Sequence, residues 1–194
     1  MIQLALIRHG ITAWNRQGRI QGHTDIPLDA DAELDLSQYK LPVQWQDSRV
    51  VASPLSRATR TAELLSGQVP EKVPALLEMD WGEWEGRRSV DIAAEPNSRF
   101  RHLDEWGWDY RPPGGESPSD VRARAEPWVL SLEGDTVAVC HIGVMRTLLA
   151  IAHGWNFEGM PPFVIKRNRL YLLQVSDAIE PGDPSCVRLP PKSS

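Results

Sequence analysis

The sequence predicts an α/β fold, a three-layer α/β/α sandwich around a mostly parallel central sheet. Three observations predict it. Short apolar or β-branched runs of strand length alternate with stretches of helical spacing, the pattern of strands linked by covering helices. Two of the strand-like runs end directly at a histidine segment, Arg8-His9 and His141, and ligands of such sheets bind beyond the carboxyl ends of the strands. No repeat and no long linker divides the 194 residues. Residues 1–180 are therefore expected to form a single domain, and 181–194 an irregular tail.

Each element has its own warrant. Residues 2–7 are nearly continuous in apolar character, as a strand covered on both faces requires. That run lacks a basic flank and is too short for a secretion signal or a membrane span. A polar loop with Gly10, Gly18 and Gly22 follows as far as Pro27, and residues 29–40 are acidic and weakly patterned. Residues 49–52 form a second strand that ends at Ser53-Pro54. Leu55, Ala58, Ala62 and Leu65 recur at helical spacing, and Gly67 stops that helix. Residues 73–77 read as a third strand. Two short helices are expected between Ser89 and Asp104, separated at Pro96, and a loop rich in Trp, Pro and Gly runs from Trp106 to Gly115. Ser117 caps a helix reaching Leu132. Residues 136–140 are a β-branched strand, 144–152 a helix, and 170–175 a last strand. Beyond Pro181 the chain is rich in Pro and Ser, hence the expected tail.

Composition narrows the function. Apolar residues make up 41% and charged residues 24%, within the range of a soluble globular protein. A net charge of -5 argues against a general nucleic-acid or anionic-membrane binder. It leaves room for a local basic pocket and an anionic small molecule. Cys140 and Cys186 lack any metal-binding or disulfide spacing, so a reduced, cytoplasmic setting is expected. Oligomeric state leaves no mark in the sequence.

Three strand ends carry candidate chemistry. In Arg8-His9-Gly10, a neutral imidazole is a competent nucleophile towards phosphorus. The adjacent guanidinium can hold a phosphate through paired hydrogen bonds, and Gly10 allows close backbone approach. Ser53-Pro54-Leu55-Ser56-Arg57-Ala58 opens a helix, whose N-terminus attracts anions. Arg57 in the first turn disfavours the helix by roughly a few tenths of a kcal/mol, which points to an anionic ligand. His141 follows the fourth strand, and a protonated imidazole there adds a further donor. His23, His102 and His153 lack such placement. In Leu77-Glu78-Met79-Asp80-Trp81-Gly82-Glu83-Trp84-Glu85-Gly86, a carboxylate desolvated beside Trp81 and Trp84 would suit a general acid. Local sequence does not choose among Glu78, Asp80, Glu83 and Glu85.

Taken together, these segments resemble the histidine phosphatase superfamily, the phosphoglycerate mutase-like fold. The matching pieces are Leu6-Ile7-Arg8-His9-Gly10 with Thr12, Trp14 and Asn15; Gln21-Gly22 with residues 24–28; Ser53 to Ala58 with Thr61-Ala62; Glu78 with Gly82 and Trp84-Glu85-Gly86; residues 113–117; and His141 with Gly143 and Arg146. They stand in family order over about three quarters of the chain. The resemblance implies His9 as the nucleophile that becomes phosphohistidine, Arg8, Arg57 and His141 as pocket cations, and Glu78 as the proton donor. It sets Asn15, Gln21, Gly22 and Gly143 near the bound phosphate or substrate. It further implies phosphomonoesterase activity on a small phosphate ester, of the histidine acid phosphatase type, with no metal and no cofactor.

Two departures stand out. Residues 29–35 lack the Gly and Gln-Ala that the family usually carries, so a short or irregular first outer helix is expected. After His141 the family usually has Gly, whereas Ile142 stands here, and Ile is poorly suited to positive φ. Two other functions compete. A phosphoglycerate mutase would use the same phosphohistidine, but about thirty residues separate Gly86 from Glu116, shorter than the resemblance leads one to expect of cofactor-dependent mutases. A non-catalytic phospho-ligand binding module would have lost a site position, and every one is filled.

Overall fold

The computed structural model describes residues 1–192. Strand β1 (Ile2–Arg8) leads into the short helix α1 (Ala13–Arg16), then α2 (Ala30–Leu36), β2 (Arg49–Ala52), α3 (Ser56–Ser66) and β3 (Glu71–Lys72). Helices α4 (Ser89–Ala93) and α5 (Pro118–Leu130) follow, then β4 (Thr136–Cys140), α6 (Ile142–His153), β5 (Arg169–Val175) and β6 (Ile179–Arg188). The six strands form one sheet in the order β3-β2-β4-β1-β5-β6. β1, β2, β3 and β4 run parallel, while β5 and β6 are antiparallel additions at one side.

Strand alternation splits the core into two layers. Leu4 and Leu6 of β1, with Val51, Ala138 and Cys140, face the helices α5 and α6 through Val121, Ala125, Val129, Met145 and Leu148. Ala5 and Ile7, with Val50, Ala52, Val137 and Val139, face α3 and α2 through Ala58, Ala62, Leu65 and Leu36. Both faces of β1 are therefore covered, which is why its sequence reads as a continuous apolar run.

Local chemistry explains the ends. Ser117 and Asp120 form a capping box at the start of α5, with Pro118 in the first turn. Gly67 and Gly154 end α3 and α6 in the left-handed conformation. α2 spans seven residues, capped by the Asp29 side chain on Ala32 N, in keeping with the short outer helix expected there.

Three expectations are corrected. Pairing at the third strand is confined to Glu71–Lys72, and Pro74 opens a 3-10 turn over Pro74–Leu76 where strand had been expected, since Pro cannot donate to a ladder. No helix follows Pro96; residues 97–104 are irregular. The tail from Pro181 is β6 as far as Arg188, pairing Pro181 with Leu173 and Arg188 with Arg169. An outer strand needs fewer ladder donors and so tolerates Pro181 and Pro184; composition alone conceals it. Among the described residues no helix is long and apolar enough to cross a membrane.

The Trp-rich loop is anchored. Trp84, Trp106 and Tyr110 are buried, Trp106 packs on Trp81 at 5.5 Å and Tyr110 at 5.1 Å, and Trp108 meets Phe157 at 5.0 Å. Glu83 N donates to Pro113 O and Glu116 N to Asp80 O, tying the loop's end to the Glu78 segment.

Candidate active site

The parallel strands deliver their last residues to one edge. Arg8 is in register with Cys140, and Ala52 with Val139. The ladder continues one residue further: His9 N donates to Cys140 O at 3.0 Å and Ser53 N to Val139 O at 2.9 Å. His9 and His141 thus leave the sheet side by side, their ring centroids 5.1 Å apart.

His9 Nδ1 lies 2.6 Å from Gly10 O. A carbonyl can only accept, so Nδ1 carries the proton and Nε2 keeps its lone pair. Gly10 is itself held, its N–H donating to Thr61 Oγ1 at 3.0 Å. Burial, then the charges of Arg57, Arg8 and Arg167, push the His9 pKa well below the ordinary imidazole value. Burial, then His9, Arg57 and Arg124, do the same to His141. This corrects the cationic His141 expected from sequence: at neutral pH it is a neutral imidazole with one N–H to donate.

Arg57 is completely buried, a rare place for a guanidinium. Nη1 donates to Thr24 O at 2.9 Å and Nη2 to Gly22 O at 2.8 Å, while Nε has no acceptor within the protein. Arg8 Nε and both ring nitrogens of His141 are likewise buried without a partner. An unpaired buried polar group costs roughly 1–3 kcal/mol. Unpaired groups on three residues beside a free imidazole nitrogen make a site suited to an anion.

Glu78 is buried. Met79 N at 2.8 Å and Gly143 N at 2.9 Å both donate to Oε1, leaving Oε2 without a protein donor. Burial raises its pKa; the Met79 amide and the charges of Arg57, Arg146 and Arg8 oppose that without cancelling it. Its competitors have other work. Glu85 accepts from His23 N and Thr24 N; burial would raise its pKa, but the bonds from Thr24 and His23 outweigh burial and lower it. Asp80 Oδ1 takes Gly82 N at 2.7 Å, and Glu83 is exposed.

The four residues expected near substrate each bond a protein group. Asn15 Oδ1 accepts from Thr12 N at 3.1 Å and Arg167 Nη2 at 2.9 Å. Gln21 Oε1 accepts from Thr12 Oγ1 at 2.8 Å. Gly22 O holds Arg57, and a Cβ there would collide with Glu85 Oε1 and lie 2.9 Å from Trp81 N. At His141-Ile142-Gly143, α6 begins at Ile142 and no positive φ occurs, so Ile costs nothing there. Gly143 is needed for space: a Cβ would collide with Glu78 Oε1 and lie 3.0 Å from Met79 Cβ. Gly143→Ala is expected to displace the carboxyl and lower kcat by roughly tenfold to a hundredfold. Because position 143 is helical, circular dichroism should report an intact fold; full activity would show that Glu78 tolerates the shift.

Sequence reasoning missed several neighbours. Arg167 Nε lies 3.3 Å from His9 O, the donor of that bond, and Nη2 reaches Asn15; burial and then Arg8 lower its pKa to about 10. Arg146 matched a motif but received no role; its charge acts on Glu78, and burial lowers its pKa to about 10. His23, assigned no role, places Nε2 2.8 Å from Glu78 O, and Arg124 Nη2 reaches the same oxygen at 3.1 Å. Spacing from His141 could have flagged Arg146. Nothing local marks Arg167, which lies 158 residues from His9 in sequence.

A family model described as the histidine phosphatase superfamily, branch 1, matches residues 4–180. The chain belongs to the histidine phosphatase superfamily. Its six-stranded, mostly parallel sheet is that of known histidine phosphatase-like structures: TTHB049 from Thermus thermophilus superposes with a TM-score of 0.74 at 31% identity, covering 100% of this chain and 98% of that one. Glucosyl-3-phosphoglycerate phosphatase of Mycolicibacterium vanbaalenii is 33% identical over 157 residues, 78% of this chain and 69% of the relative. A probable phosphoglycerate mutase of Salmonella paratyphi C is 34% identical over 128 residues, 64% of this chain. The matched stretch covers 60% of that relative's length.

Proposed function

We propose that this histidine phosphatase hydrolyses small phosphate monoesters, with His9 as nucleophile and Glu78 as proton donor. The observation that carries the reading is the His9 tautomer: Nδ1–H is committed to Gly10 O, and Nε2 faces the unpaired donors of Arg8, Arg57 and His141. Nε2 attacks phosphorus as the ester P–O bond breaks, and the Glu78 carboxyl proton passes to the leaving oxygen. The Glu78 carboxylate then takes a proton from water. That water oxygen attacks phosphorus, the P–N bond breaks, and neutral His9 is restored. Arg8 and Arg57 balance the charge on the equatorial oxygens, the positioning and electrostatic work that phosphoryl transfer demands.

We further propose that the reaction needs no metal and no cofactor. In support, the described residues hold no group of three or more metal-ligating side chains. Both cysteines are free, which supports a cytoplasmic setting. The name of the M. vanbaalenii relative supports hydrolysis, and that of the S. paratyphi relative supports transfer. Rapid acid-free quenching during turnover should trap one phosphoryl group per chain on His9, acid-labile and base-stable, and EDTA should leave the rate unchanged. Failure to trap label on His9, or loss of activity in EDTA, would overturn the corresponding part. Faster transfer to 3-phosphoglycerate than to water, with 2,3-bisphosphoglycerate present, would favour the mutase.

A further inference from the structure

A small pocket of about 200 Å³ is lined by Ile142, Arg146, Leu103, Phe163, Val164 and Ile165, together with Pro161. Its position follows from the helix it opens on. Ile142 directly follows His141 and is the first residue of α6, and Arg146 stands on the same helix face four residues on. Between them in sequence, Gly143 N holds Glu78 Oε1. The pocket therefore shares a wall with the carboxyl that would protonate the leaving oxygen.

Its chemistry is one-sided. Arg146 supplies the single charge, and that charge is matched by Glu78. The remaining lining is aliphatic, aromatic or Pro, contributed by two irregular segments, 97–104 and 161–165. Val164 is 70% exposed and stands at the rim, apolar surface that nothing in the chain covers. A cavity of roughly 150 Å³ walled by Leu, Ile and Phe is enough to hold benzene, so this pocket has room for one ring.

Resting on the phosphatase reading, we propose that this pocket receives the leaving group, and that the enzyme favours phosphate esters of apolar, ring-sized alcohols over those of polyols or hydroxy acids. A polyol hydroxyl or a carboxylate placed among Leu103, Phe163 and Ile165 would be desolvated without a partner. A ring there exchanges water for apolar contact.

The test separates binding from turnover. Affinities of phenylphosphonate and methylphosphonate, neither of which can be hydrolysed, are measured on the whole protein and on Ile142→Asn and Val164→Asp. Val164 is too exposed for its replacement to threaten folding, which guards against loss of structure in the other variant. Phenylphosphonate should bind at least about tenfold more tightly than methylphosphonate, and both variants should shrink that ratio severalfold. In parallel, kcat/KM for phenyl phosphate should exceed that for glycerol 3-phosphate in the wild type. Equal phosphonate affinities, or a preference that neither variant changes, would overturn the pocket assignment. Phosphonate discrimination without turnover of any ester would leave the pocket standing and overturn hydrolysis instead.

Discussion

His9→Ala is expected to reduce hydrolysis of every phosphate ester by at least about 10³-fold, with the fold intact. The magnitude follows from losing the covalent route: without Nε2 the reaction falls back on water attacking a phosphate that the pocket merely holds, and losing one member of a nucleophilic constellation leaves only the residual catalysis of binding and charge stabilisation. The substitution removes a ring that is 3% exposed and bonded through its side chain only to Gly10 O, while the His9 N to Cys140 O bond is backbone and survives. Thermal unfolding should therefore change by only a few degrees, and phosphate should still bind. The decisive measurement is single-turnover hydrolysis of an aryl phosphate; a residual rate within tenfold of the wild type would rule out His9 as nucleophile.

Glu78→Gln should slow esters with poor leaving groups by roughly 10²–10⁴-fold, the usual contribution of a general acid, and aryl esters with good leaving groups far less. Gln keeps the Oε1 acceptor for Met79 N and Gly143 N, so the site geometry is preserved and only the proton is lost. The pH profile gives a second readout. Glu78 acts when protonated, so kcat/KM falls as pH rises through its pKa, which burial lifts above the usual carboxylate value of 4.5. His9 acts when neutral, so activity falls as pH drops through its own pKa, which burial and the neighbouring arginines hold well below 6.5. The wild type should thus work best in the acidic range, and Glu78→Gln should lose the alkaline limb that Glu78 sets. An unaltered alkaline limb in the variant would assign that titration, and the proton, to another group.

What the sequence revealed and what it hid follow from the range of each interaction. β1, β2 and β4, with α3, α5 and α6, were legible because their apolar spacing and caps are local. Arg8, His9, Arg57 and His141 were legible because strand ends set their positions. Glu78 was not separable from Asp80, Glu83 and Glu85 by its neighbours. Its distinction comes from the Gly143 amide 65 residues away and from burial under other elements. Arg167 was invisible for the same reason, reaching His9 O from the far end of the chain. β6 was hidden because Pro181, Gly182 and Pro184 look like breakers, and only pairing with β5 overrides them. The neutrality of His141 was hidden too, since a charge state depends on what surrounds a ring rather than on what precedes it.

The two imidazoles are stitched to adjoining strands by the His9 N to Cys140 O bond, whereas the apolar pocket is furnished largely by segments that belong to no strand or helix. Reactive apparatus and selectivity are thereby mounted on separate supports. Drift in residues 97–104 or 161–165 can retune which alcohol is accepted while the reacting atoms keep their spacing, so descendants of one ancestor can diversify in diet without reinventing their chemistry.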